Sequence, residues 1–195
     1  MSNETIVCDW LRRSRMAIVE TPFFFLDFQK QKYETKSFIE LMERAKINVV
    51  RFGVARTYAY YQSKIAPIAP TLGDRDLLAE MIEQCHPRGI KVVAYVHIGY
   101  ENWILYDEHP NWVERDSDMS PMLVGRPEEV HMCPNSPYLD WKIKMLEEIV
   151  NNYNIDAMYF DSWFPFYQFE SQKGYQVCYC DGCRNGFREA SGLEI

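Results

Sequence analysis

Four apolar runs, each long enough for one strand and each parted from the next by an amphipathic helical segment, restrict this chain to a parallel β-sheet covered by helices. The runs are Met16–Phe25 (MAIVETPFFF), Ile47–Val54 (INVVRFGV), Ile90–His97 (IKVVAYVH) and Ile155–Asp161 (IDAMYFD). They are nearly continuous in Val, Ile, Phe and Ala, as strands buried on both faces are. Between the first two, Phe38, Leu41, Met42 and Ala45 recur at helical spacing. The next helix is expected after Gly73 with Asp74 as its N-cap, a stripe of Leu77, Leu78, Met81, Ile82 and Cys85, and an end near Pro87 and Gly89. Before the fourth strand, Ser136 caps a helix with Pro137 at its first position, burying Tyr138, Trp141, Met145 and Ile149. A short helix at Arg184–Ala190 closes the chain.

Two architectures accept this alternation, a doubly wound sheet and a (β/α)8 barrel. No Gly-rich phosphate turn follows the first strand, where a dinucleotide-binding fold places one. Charged and aromatic residues gather instead just after strand ends, where barrel enzymes keep their chemistry. The expected fold class is therefore α/β, the N-terminal half of a (β/α)8 TIM barrel with a cysteine-rich zinc loop after strand four. Residues 1–15 are read as an N-terminal tail and 16–195 as the partial barrel. A whole barrel needs about 250 residues. The missing strands are expected from the rest of a longer protein, or from a homo-oligomer partner; the exposed sheet edges of a lone half favour the former.

Net charge is −7 and no Lys/Arg run exceeds Arg12-Arg13, which removes the electrostatic footprint of nucleic-acid binding. No stretch approaches the ~20 apolar residues of a membrane span. The segment holding Glu4, Asp9 and Arg12 to Arg15 lacks the apolar block of a signal peptide, so a cytoplasmic location is expected. In a reducing compartment the six cysteines are thiols or metal ligands sooner than disulfides. Aromatic residues make up 15% of the chain, which suits a sugar site and an aromatic-rich core equally.

Cys178, Cys180 and Cys183 stand as C-Y-C-D-G-C. Thiolates this close repel unless a cation draws them together, and zinc takes four tetrahedral ligands with sulfur among its preferred donors. Cys133, at the end of the loop after strand three, is the expected fourth ligand, since parallel neighbours deliver their following loops to one face. His131 is the reserve, and unrelated thiols or a Cys178–Cys183 disulfide are the other readings. Cys85 lies on an apolar helical stripe and Cys8 in the tail. A closed four-cysteine shell leaves no position for water, so the zinc would pin loops.

Asp161 ends the fourth strand and shares a side with Ala157 and Tyr159. Glycoside hydrolysis uses two carboxylates flanking the scissile bond. Asp161 is a candidate for one of them, or a cap for the loop that follows. Glu101 and Asp107 are weaker candidates for the second, and Glu20 and Asp27 read as structural. Arg51 in strand two and His97 closing strand three could bond a sugar hydroxyl or hold Asp161 ionised. Tyr60, Tyr61, Trp103, Trp112 and Trp163 fall in loops after strand ends, where rings stack on sugars; burial is an equal reading for Trp112.

With these residues in hand, the chain resembles a family of bacterial barrel proteins called hypothetical glycosyl hydrolase 6. The resemblance rests on A-Y-Y-Q-S-K (Ala59–Lys64), R-D-L-L (Arg75–Leu78), R-G-I-K-V-V-A-Y (Arg88–Tyr95), H-P-N-W (His109–Trp112), C-P-N-S-P-Y (Cys133–Tyr138), D-A-M-Y-F-D (Asp156–Asp161), and C-Y-C-D-G-C with Phe187. The cysteine pattern is similar to the structural zinc site of family 42 β-galactosidases, which implies ligation by Cys133, Cys178, Cys180 and Cys183. The fourth strand is similar to that of α-L-fucosidases, which implies Asp161 as nucleophile. The Asn-Glu acid of the family 42 enzymes has no counterpart at this strand, so their catalytic assignment does not carry over. Gln62 stands where the family usually has Pro. The resulting expectation is a retaining glycoside hydrolase acting on a carbohydrate, with its acid on a strand absent from this chain. The alternatives are a non-catalytic sugar-binding barrel and metal-dependent hydrolysis, which would need an open coordination position.

Overall fold

The four apolar runs pair side by side to make the sheet that the sequence implies. In a computed structural model describing residues 8–19, 33–123, 129–161 and 177–194, strands β1 (Met16–Val19), β2 (Val49–Ala55), β3 (Lys91–His97) and β6 (Ala157–Asp161) form one sheet in the order β1-β2-β3-β6. Every pairing in it is parallel. Helices fill the connections: α2 (Thr35–Arg44), α3 (Leu77–Cys85) and α5 (Tyr138–Asn152), with α1 (Asp9–Arg12) ahead of the first strand. This is the first half of a (β/α)8 barrel.

The pleat divides the strands' side chains between two surfaces. Val50, Phe52, Val54, Val92, Ala94 and Val96 face the helices and join Ile39, Leu77, Leu78, Met81, Cys85, Met145 and Ile149 in the main core. Each Val, Leu, Ile, Phe or Met among them, once fully buried, contributes roughly 1.5–3 kcal/mol. The other surface, the inner one of a barrel, carries Arg51, Tyr95, His97, Tyr159 and Asp161, with His97 opposite Asp161 and Tyr95 opposite Tyr159. At its margins Ile18 on β1 is 62% exposed and Tyr159 on β6 is 43% exposed.

Several local expectations shift. Strand one is described only as Met16–Val19; the remainder of its expected run lies outside the described residues. The cap of α3 is Asp76, not Asp74. Gly73 turns the chain at φ 62°, and the Asp76 carboxylate then accepts from the Ala79 N–H at 2.8 Å. On α2 the inward stripe is Thr35, Phe38, Ile39 and Met42, while Leu41 is exposed. The α5 helix begins at Tyr138, whose N–H bonds the Ser136 hydroxyl as a cap would.

The long stretch after β3 carries structure of its own. It holds an antiparallel pair, β4 (Tyr100–Asn102) with β5 (Glu129–His131), and the short helix α4 (Trp103–Glu108). Leu105, Trp112, Val113, Val130, Met132 and Tyr138 make a second, smaller core beneath it. Helix α6 (Asp181–Ser191) follows the cysteine-rich segment. No described helix is long and apolar enough to cross a membrane.

Candidate active site and metal centre

Chemistry in this fold belongs at the C-terminal ends of the strands, and Asp161 is the last residue of β6. Its backbone carbonyl accepts from the Ile98 N–H at 3.0 Å, which ties the ends of β6 and β3 together. Its side chain accepts from the Tyr95 hydroxyl. That hydroxyl is also 2.8 Å from Nε2 of His97. The Arg51 guanidinium lies 4.4 Å from the Tyr95 ring centre and 4.5 Å from that of Tyr159. Arg51, Tyr95 and His97 are all buried. Burial pushes the His97 imidazole down to about 4, reinforced by the charge of Arg56 and opposed by Glu101 and Asp161. His97 is therefore neutral at physiological pH.

Asp156 marks the opposite end of the same sheet. It accepts from Lys91 at 2.7 Å, from the Val92 N–H at 2.8 Å and from His86 at 3.0 Å. Burial alone would raise its pKa, but these donors outweigh burial and hold it below the usual carboxylate range. A satisfied carboxylate at the bottom of a barrel serves stability.

The aromatic residues expected to stack on sugar separate into groups. Tyr60 and Tyr61 are 2% and 0% exposed, so neither presents a ring face to a ligand. Ala59 bridges both Ala55 and Ile68, which folds the segment after β2 back over the core and carries both rings inward. The Tyr61 hydroxyl then donates to Glu148 at 3.0 Å. Trp112 is buried against Tyr138 and Trp141 and stacks on His109 with ring centres 3.8 Å apart. Trp103 is half-buried on α4, packed on Tyr106. Trp163, Glu20 and Asp27 lie outside the described residues. Sequence reasoning passed over Tyr95, although strand alternation puts it on the face of His97, two residues on.

Glu101 is not poised as an acid. It is wholly buried, paired with Lys142 at 2.6 Å, and accepts from Tyr138 at 2.6 Å and Thr57 at 2.9 Å. Lys142 also donates to the Arg56 carbonyl at 3.3 Å, and the Arg56 guanidinium pairs with Glu129 at 2.6 Å. This network locks the end of β2, the β4–β5 pair and α5 to one another. Burial lowers the Lys142 pKa, and Glu101 works against that. Lys142→Met is expected to lose about 3–5 kcal/mol in urea unfolding, because a buried carboxylate is left without its partner. Adding Glu101→Gln should return much of the loss. A single variant within about 1 kcal/mol of the parent would refute this account.

The four cysteines of the expected metal site do come together. Cys133, Cys178, Cys180 and Cys183 place their sulfurs within 4.8 Å of one another, a set that could hold a metal ion. Individual Sγ–Sγ distances from Cys133 are 3.4 Å to Cys180, 3.4 Å to Cys183 and 3.9 Å to Cys178. Backbone contacts set this up. The Cys133 N–H bonds the Trp112 carbonyl at 2.8 Å, and the Tyr179 N–H bonds the Arg115 carbonyl at 2.9 Å. The Arg115 N–H points at Cys178 Sγ from 3.4 Å, and the Asn135 amide at Cys183 Sγ from 3.3 Å. Gly182 lets the start of α6 press on the loop before α5: a Cβ there would overlap the Asn135 carbonyl oxygen. Bonds from Cys133 and Cys178 hold Cys180 down to about 2, while bonding to Cys178 and Cys180, with burial, pushes Cys133 far up. Cys85 is buried on α3 and Cys8 is exposed, both apart from the cluster.

The sequence profile of hypothetical glycosyl hydrolase 6 matches residues 34–162, more than half of the chain. The chain belongs to this family. The matched segment of this hypothetical glycosyl hydrolase 6 member carries β2, β3, β6, Cys133 and Asp161; the other three cysteines of the cluster follow it. No curated protein sequence matches. Among solved structures, α-L-fucosidase isoenzyme 2 from Paenibacillus thiaminolyticus is similar at 27% identity and TM-score 0.71, covering 93% of this chain and 26% of that one. A maltogenic α-amylase, AmyB from Thermotoga neapolitana, is similar at 15% identity and TM-score 0.52, over 74% of this chain and 37% of its own. The Thermotoga maritima α-fucosidase in complex with fucose matches at 18% identity and TM-score 0.51, over 71% and 31%. The last two show a shared fold. The chain spans about a quarter of the Paenibacillus fucosidase.

Proposed function

We propose that this chain supplies the first four strands of a retaining glycoside hydrolase, with Asp161 as its nucleophile. The observation that carries the reading is the carboxylate of Asp161 at a strand's C-terminal end, on the inner face, bonded by Tyr95 beside His97. The 27% identity to an α-L-fucosidase makes α-L-fucosides the first substrates to try. In the proposed reaction a carboxylic acid from a further strand protonates the leaving oxygen while Asp161 attacks the anomeric carbon. The glycosidic C–O bond breaks as the ester forms. Water, deprotonated by the same acid group acting as base, then displaces Asp161, and the anomeric configuration is kept. Arg51 and His97 line the inner face beside the nucleophile, and Trp103 stands on the loop following β3 as a candidate sugar contact.

The remaining strands of the barrel would cover Ile18 and Tyr159 at the sheet margins. Zinc fits the four sulfurs. Tetrahedral Zn–S bonds of about 2.3 Å imply sulfurs about 3.8 Å apart, close to the 3.4–3.9 Å found around Cys133. With four thiolates the ion would act structurally, pinning the segment after β6 to the loop after β3. Thiol-based metal ligation also agrees with a reducing, cytoplasmic setting.

Covalent labelling tests the central step. An activated 2-fluoro glycoside should leave a sugar on the peptide containing Asp161, located by mass spectrometry, and turnover of an aryl glycoside followed by NMR should show retention. Label on another carboxylate, or an inverted product, would overturn the reading.

A further inference from the structure

One phenolic proton lies between two groups able to accept it. The Tyr95 hydroxyl is 2.8 Å from Nε2 of His97 and bonded to Oδ2 of Asp161. A phenol has a single proton to give and lone pairs to receive another. Two arrangements satisfy both contacts. In one, Tyr95 donates to an ionised Asp161 while the proton on Nε2 of His97 is donated to the phenol oxygen. In the other, a protonated Asp161 donates to Tyr95, which donates to a bare Nε2. Bonds to an ionised carboxylate are about twice as strong as neutral ones, which favours the first. A buried, neutral His97 has one N–H to offer, and this arrangement sets it on Nε2.

The phenol is also held in place. Tyr95 is 2% exposed. Its ring lies under the Arg51 guanidinium, meets Tyr159 at 5.6 Å in an edge contact and meets His97 at 5.2 Å. The cation stacked on that ring helps to keep it there.

We infer that Tyr95 is a positioning residue for Asp161: His97, protonated on Nε2, donates to the Tyr95 hydroxyl, which donates to Oδ2 and holds the carboxylate in one orientation for attack. This rests on Asp161 being the nucleophile. The ionisable groups around the relay among the described residues are Arg51 from β2, Arg56 just beyond it, Tyr95 and His97 from β3, Glu101 from β4, Lys142 from α5 and Tyr159 from β6. Of these, the Tyr95 hydroxyl is the group placed within hydrogen-bond reach of both His97 and Asp161.

The test compares the whole protein with its Tyr95→Phe, His97→Gln and His97→Leu variants. Phe keeps the ring under Arg51 and loses only the hydroxyl. The Asp161 carboxyl is titrated by carbon NMR and the His97 nitrogens are read by nitrogen NMR. Removing a donor from the carboxylate disfavours its charged form, so the Asp161 midpoint should rise by about one pH unit in Tyr95→Phe. The acidic limb of kcat/KM should move up with it. His97→Leu should shift the midpoint in the same direction. His97→Gln, whose amide N–H falls near the site of Nε2, should stay close to the parent. An unmoved midpoint in Tyr95→Phe, or a His97 proton on Nδ1, would overturn the inference. Turnover retained in Asp161→Asn would remove the nucleophile reading by itself, whatever the carboxyl titration gives.

Discussion

Asp161→Asn, made in the complete barrel, is expected to lower turnover of an aryl glycoside at least ~10³-fold, the scale on which loss of a nucleophile acts. Asn preserves shape and can still accept the bond from Tyr95, so the fold and the sugar's binding constant should change little. Its amide oxygen is too weak a nucleophile to form the glycosyl ester. The smaller Asp161→Gly variant gives a second reading of the same step. Azide entering the vacated space should restore turnover and yield a glycosyl azide of inverted configuration. A loss under about tenfold in Asp161→Asn, with normal folding, would place the nucleophile elsewhere.

Cys133→Ser should have the second large effect, this time on folding. Cys133 lies within 3.4–3.9 Å of three other sulfurs and is the one cysteine of the cluster that comes from the loop after β3. Structural zinc sites of this type contribute about 10–16 kcal/mol of apparent binding energy near neutral pH. A serine hydroxyl is a poor substitute for thiolate. The purified variant should contain far less than one metal per chain and melt well below the parent. Chelation of the parent should reproduce the shift, and Cys8→Ser should keep its metal. One full equivalent of zinc in Cys133→Ser would exclude the four-cysteine site.

Much of this arrangement can be read in the sequence because it follows from periodicities. The runs of Val in β2 and β3 declare buried parallel strands, and their parallel order brings the loops bearing Cys133 and Cys178 to one rim. The period of two also puts Asp161 on the face of Tyr159. What the sequence hides depends on partners distant along the chain. Lys142 sits in the helical stripe of Tyr138, Met145 and Ile149, a position that demands an apolar residue unless a buried acid meets it. Glu101 is that acid, and no local pattern joins the two. Tyr60 and Tyr61 carry no mark distinguishing a ring in the core from a ring in a binding cleft. Only the bridges from Ala59 to Ala55 and Ile68 decide it. Asp74 and Asp76 are equally good caps by residue type, and the turn at Gly73 selects between them.

The absence of a side chain at position 182 has a dynamic consequence. Backbone at Gly182 and backbone at Asn135 meet with no room for a methyl group between them, though 46 residues of sequence separate them. Neither segment can breathe alone without losing that contact. Amide exchange at the two should therefore run at a common rate, and the thiols of Cys133 and Cys183, each next to one of these segments, would be exposed or protected as one unit.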